Sequence, residues 1–128
     1  MKVVKGLEMR WVKLVFAGEE FEFEPRLKIL KFHIREPFYS AGKQFGWGKP
    51  TVGLGINYDA LTFAVSHNAK IWVKVGASPK IYEISAKTWL DFVRRFKSID
   101  KHTGIALYVV QWSEKYFKTL SPESTLLK

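Results

Sequence analysis

The sequence predicts an α+β (mixed α/β) fold, with a strand-rich N-terminal part and a central β-sheet carrying one main helix over 85–98. Three observations predict it. Residues 20–24, Glu-Phe-Glu-Phe-Glu, alternate strictly between charged and aromatic, the period of a half-buried strand. Trp89, Phe92, Val93 and Phe96 recur at helical spacing and make one apolar stripe. Residues 105–112, Ile-Ala-Leu-Tyr-Val-Val-Gln-Trp, are nearly all apolar, which in a strand means burial on both faces. A chain of 128 residues with no repeat and no linker fits one domain, 1–128.

The elements follow in order. Arg10 to Phe16 predicts a first strand with Val12, Leu14 and Phe16 on one face. Ala17-Gly18-Glu19 turns the chain into the alternating strand, which Pro25 ends. Glu20, Glu22 and Glu24 share a face there, as charges that keep an edge strand from aggregating. Residues 27–34 make a third strand, with Leu30, Phe32 and Ile34 on one side and the basic Lys31, His33 and Arg35 on the other. Residues 37–50 hold three glycines and two prolines and read as a loop. Short strands are expected at 51–56, 61–66 and 70–75. His67-Asn68-Ala69 is expected to turn the last two into a hairpin. An extended piece, 80–84, follows Pro79. Ser85 then caps the main helix, and Lys97 suits its C-terminal end. The apolar strand 105–112 is expected in the centre of the sheet, beside the hairpin and under the helix. A short helix over 113–120 would carry Tyr116, Phe117 and Leu120.

Charge narrows the partners. Lys and Arg number 21 against 12 acids, a net charge of +9. Between residues 37 and 82 five lysines (Lys43, Lys49, Lys70, Lys74, Lys80) face a single acid, Asp59. Such a stretch presents a positive field to phosphates, so the expected partner is a polyanion, nucleic acid foremost and DNA before RNA. The alternative is a solvated, lysine-rich surface. With no cysteine there is no disulfide and no thiolate metal site. No run of 18 apolar residues spans a membrane, and the first residues lack a secretion signal, so a cytoplasmic location is the expectation. Abundant lysine with scarce Asn and Gln points to a thermophile. A homodimer is compatible with all of this.

The loop 42–50, Gly-Lys-Gln-Phe-Gly-Trp-Gly-Lys-Pro, carries the residue chemistry of a binding loop. Its glycines let the backbone approach a ligand, Lys43 and Lys49 meet phosphates, and Phe45 or Trp47 stacks on a base. In the other reading both aromatics tuck into the core. His33, His67 and His102 show no metal-ligand spacing, and no P-loop or dinucleotide fingerprint is present.

From Asp59 onward the expected order is strand, strand, helix, buried strand. Trp72-Val73-Lys74 comes thirteen residues after Asp59, and the helix reads Asp91-Phe92-Val93-Arg94-Arg95-Phe96. Over 59–112 this resembles the core of the PD-(D/E)XK nuclease superfamily, in particular the archaeal Holliday-junction resolvases. The resemblance implies a restriction-endonuclease-like sheet. It also implies a Mg²⁺ ion held by Asp59 and a Glu two residues before Lys74, with the lysine orienting the attacking water. Trp72 stands where that Glu belongs, and an indole cannot hold the ion. The resolvases also begin with a helix, where residues 7–36 here read as strands.

Three readings follow. One is an archaeal or mobile-element protein with a degenerate nuclease fold that binds nucleic acid without cutting, with no cofactor and with Lys43, Phe45, Trp47, Lys49, Lys74, Arg94 and Arg95 as contacts. The second is a Mg-dependent endonuclease using Asp59, Lys74 and a carboxylate relocated to Glu83 or Asp91. The third is a protein-interaction or structural module without a ligand.

Overall fold

The computed structural model describes residues 9–35, 37, 52–100 and 107–120, with the backbone alone at 95–100 and 107–111. The first link is set by two residues. Ala17 and Gly18 both take positive φ, 49° and 79°, the conformation a two-residue type I′ hairpin requires. They join β1 (Val12–Phe16) to β2 (Glu19–Glu24), with Phe16 opposite Glu19. β3 (Ile29–Ile34) continues the antiparallel meander. After β4 (Gly53–Ile56) come helix α1 (Tyr58–Ser66), β5 (Lys70–Val75), β6 (Tyr82–Ser85) and helix α2 (Ala86–Phe96). β7 (Lys97–Asp100), β8 (Leu107–Gln111), a 3-10 turn (Glu114–Tyr116) and β9 (Lys118–Thr119) complete the described elements.

Two sheets form. The larger has the order β1-β2-β3-β5-β6-β9 and the smaller β4-β8-β7. In the larger sheet only the β3–β5 pair is parallel. This is the strand-rich α+β fold the sequence predicts. Among the described residues no helix is long and apolar enough to cross a membrane.

Several local expectations are corrected. Residues 61–66 are helical. Asn57 decides this, because its side-chain oxygen accepts from the Ala60 N–H at 3.1 Å and caps the first turn, where Asp59 also suits the dipole. Ala60, Leu61 and Ala64 then fall on one buried face. The alternation of Leu61, Phe63 and Val65 imitates a strand but is overridden. The 61–66/70–75 hairpin therefore does not exist, and β5 pairs with β3 and β6 instead. The apolar strand 107–111 is central, but in the smaller sheet, between β4 and β7. The helix expected over 113–120 is a single 3-10 turn followed by β9. The main helix forms at Ala86–Phe96, with the Ser85 hydroxyl accepting from the Thr88 N–H at 3.2 Å.

One core serves both sheets. The inner face of the larger sheet (Phe21, Phe23, Leu30, Phe32, Ile71, Val73) meets α1, Leu54 and Ile56 of β4, and the stripe Trp89, Leu90, Val93 of α2. Aromatic rings run through it in sequence. Phe21 stands 5.1 Å from Phe32, Phe32 5.3 Å from Trp89, and Trp89 5.5 Å from Phe117. Burying such rings supplies a large share of the folding energy of a small domain.

Glu24 also departs from expectation. β2 is flanked on both sides, so it is no edge, and Glu24 is completely buried while Glu20 and Glu22 stay exposed. Its carboxylate accepts from the backbone N–H of Arg10 and, at 2.8 Å, of Arg26, with the Arg26 guanidinium 3.5 Å away. Burial pushes the Glu24 carboxyl up. The N–H groups of Arg10, Arg26 and Leu27, with the Arg26 charge, outweigh that and hold it below its ordinary value. Glu24 thus clips the chain before β1 to the turn after β2.

Two predictions follow from these positions. An alanine in the left-handed region is strained by about 1–2 kcal/mol. Ala17→Asn is therefore expected to stabilise the protein by about 0.5–1 kcal/mol in urea titrations. Glu24→Gln is expected to cost about 1.5–3 kcal/mol at pH 7 through lost charge-assisted hydrogen bonds. Because the folded-state value is depressed, Glu24 contributes fully above its ordinary value of 4.5 and loses that contribution as pH falls through the lower folded value. Wild type and variant should therefore converge in stability below pH 4.5 and separate above it.

Candidate nucleic-acid interface

Successive side chains of a strand point to opposite faces. On β3 and β5 the core takes Leu30, Phe32, Ile71 and Val73. Lys31, His33, Lys70, Trp72 and Lys74 therefore project from the outer face. Parallel pairing sets them side by side, with Lys31 opposite Trp72 and His33 opposite Lys74.

This face has an internal order. Lys13, Glu22, Lys31, Trp72, Glu83 and Lys118 stand in register across the six strands of the larger sheet. Lys31 Nζ lies 3.6 Å from Glu22 and 4.1 Å from the centre of the Trp11 ring. Trp11 in turn leans on Trp72, with ring centroids 6.0 Å apart. The Trp72 indole N–H donates to Glu83 at 2.9 Å, and Lys70 approaches the other Glu83 oxygen at 3.9 Å. Trp72 is only 7% exposed, so it supports the sheet and offers no stacking surface. The ion pairs involve partly exposed groups and hold the face in order more than they stabilise the fold.

The compensation stops toward the C-terminal ends of β3 and β5. His33 and Lys74 stand there as neighbours, and His33 Nε2 lies 3.4 Å from the Gly76 carbonyl oxygen. Among the described residues no carboxylate lies within ion-pair distance of Lys74. Arg35 and Lys80, both exposed, continue the chain beyond these strand ends.

The residues singled out from the sequence are dispersed. Lys74 and Glu83 share the outer face, with Trp72 directly opposite Glu83 and two residues before Lys74 on β5. Asp59 sits exposed in the first turn of α1, and α1 packs on the inner face, where Phe63 lies 5.2 Å from Phe23. Asp59 and Lys74 are thus on opposite sides of the sheet, whereas the nuclease resemblance needs them together and needs Asp59 at the start of a strand. Asp91 and Arg94 are exposed on α2, again on the inner side. Among the described residues no group of three His, Asp or Glu is placed to hold a metal ion. Lys43, Phe45, Trp47 and Lys49, and the side chain of Arg95, lie outside the described residues.

No family model, curated protein or solved structure matches the chain. The local geometry therefore carries the functional reading.

Sequence reasoning recognised the basic face of β3 but missed its union with Lys70 and Lys74. The strand alternation of residues 70–75 was visible. Pairing with a strand so distant in the chain leaves no local signal. Glu83 was noticed as a relocated metal ligand, and its position opposite Trp72 gives it a different partner, the indole N–H.

Proposed function

We propose that the protein binds nucleic acid without sequence preference through the outer face of its larger sheet, at the end where His33 and Lys74 stand together. The observation that carries this reading is the parallel β3–β5 register. It merges two separate basic strand faces into one patch on a chain with net charge +9. Lysines and a histidine without a fixed base-reading geometry suit phosphate contacts, which give affinity without sequence information. Binding is favoured over cutting because the sheet divides Asp59 from Lys74, the pair the nuclease chemistry would use. DNA is the first partner to test, with RNA as the comparison.

Fluorescence anisotropy of labelled oligonucleotides against salt tests the site. For duplex DNA each phosphate contact adds about 0.9 to the slope of log K against log[salt]. Lys74→Ala is expected to weaken binding to all sequences equally and to lower that slope by about one contact. Arg94→Ala, on the opposite side of the sheet, is expected to change neither. A loss with Arg94→Ala and none with Lys74→Ala would move the interface to the helical side. Absence of binding at low salt would overturn the reading altogether.

Glu83→Gln keeps an acceptor for the Trp72 indole, removes an anion from the face and releases Lys70. Tighter binding, by severalfold at low salt and converging with wild type at high salt, is the expected result. No cleavage is expected when Mg²⁺ or Mn²⁺ is added. Cleavage abolished by Asp59→Ala would instead establish the endonuclease.

A further inference from the structure

The two edges of the larger sheet are built differently. β9 is two residues long, and both Lys118 and Thr119 are exposed, a short charged edge of the kind that resists further pairing. β1 is five residues long and carries one charge, Lys13. Two of its valines are exposed, Val12 at 42% and Val15 at 63%. Among the described residues nothing pairs with its outer side. A long strand edge with exposed valines and little charge is a template for another strand.

The hairpin geometry fixes what this edge offers. The pair Phe16–Glu19 closes a two-residue loop, so it is a hydrogen-bonded pair, and Leu14–Phe21 and Val12–Phe23 follow as the next ones. The N–H and C=O groups of Lys13 and Val15 therefore point away from β2, to the open side. An incoming antiparallel strand must meet those two residues.

We propose that the occupant is β1 of a second copy of this chain, pairing antiparallel about a two-fold axis at Leu14. In that register Lys13 faces Val15 of the other copy, Leu14 faces Leu14, and Val12 faces Phe16. All five residues pair, the two outward-pointing residues exchange hydrogen bonds, and no like charges stand opposite one another. The exposed Val15 is covered by the Lys13 stem, and the exposed Val12 by Phe16. The self-complementary pattern favours a second copy over an unrelated strand. The axis is perpendicular to the sheet, so the two copies carry their His33–Lys74 ends on the same side. The pairing itself does not depend on nucleic-acid binding.

The chain has no cysteine, which makes the register directly testable. Directly opposed residues of a strand pair lie within disulfide reach, whereas Cα atoms more than about 7 Å apart cannot be bridged without backbone movement. In the full chain under oxidising conditions, Leu14→Cys is expected to form a disulfide-linked dimer. Val15→Cys, whose partner is Lys13 and not itself, is expected to cross-link at least tenfold more slowly. Equal rates in the two variants would overturn the proposed register.

Sedimentation velocity of the unmodified chain, at about 0.5 M salt to screen its charge, provides a second measurement. The average mass is expected to rise from 14.8 kDa toward twice that value with concentration. Val15→Lys, which places two further cations on the edge, and Val15→Pro, which removes an outward N–H, are both expected to hold it at the monomer. Circular dichroism should stay unchanged in at least the lysine variant. A wild type monomeric up to millimolar concentration would overturn the proposal, as would a dimer that survives both substitutions. Neither outcome bears on nucleic-acid binding, which is read separately by the Lys74→Ala salt slope.

Discussion

The parallel ladder between β3 and β5 is the constraint on which the rest of the structure depends. It joins the N-terminal meander to the β5–β6 half of the sheet. On its inner side it aligns Leu30 and Phe32 with Ile71 and Val73, four residues with almost no exposure, and these share one core with the buried faces of both helices. On its outer side the same register assembles Lys31, His33, Trp72 and Lys74. One set of backbone hydrogen bonds thus determines both the core and the candidate interface, and a slip of one residue would exchange the two faces.

The charge of the outer face is more ordered than a net value of +9 suggests. Across the middle of the sheet anions and cations alternate and largely neutralise one another. Glu22 answers Lys31, and Glu83 answers Lys70. The uncompensated charge collects at one end, where β3 and β5 finish. A polyanion would meet a local feature, not a uniformly basic surface. Glu24 follows a different logic. It is buried beside backbone N–H groups and the Arg26 guanidinium and works as a structural clip.

What was legible in the sequence was local. The strands of the meander follow from alternation at 20–24 and 27–34, and α2 from the stripe at Trp89, Phe92, Val93 and Phe96 and the cap at Ser85. That Leu90 is buried beside Trp89 and Val93 while Phe92 is only half-buried is visible in the structure alone. Helix α1 was misread because Leu61, Phe63 and Val65 alternate as a strand would. The deciding cap, Asn57, lies outside that alternation and acts through one hydrogen bond. The candidate site was legible only in pieces. Lys31 with His33, and Lys74 with its neighbours, each stand out as basic, but their union requires a non-local parallel pairing. Asp59 and Lys74 appeared adjacent only because a hairpin was expected where the chain builds a helix. The smaller sheet was invisible for a similar reason, since β4 meets β8 across both helices.

The order in which the chain can assemble follows from the same topology. The β1–β2–β3 meander closes through short turns and can zip on its own, on the microsecond scale of a hairpin. β3 finds β5 only after the chain has passed through β4 and α1, and β6 finds β9 only after α2, β7 and β8. Such distant pairings carry a larger loop-closure cost and set the pace of folding. The meander's pairings need no part of β5, whereas the basic patch is complete only once β5 has docked beside β3. A partly folded chain has the charge but not the surface, so the proposed recognition of a polyanion would require the finished fold.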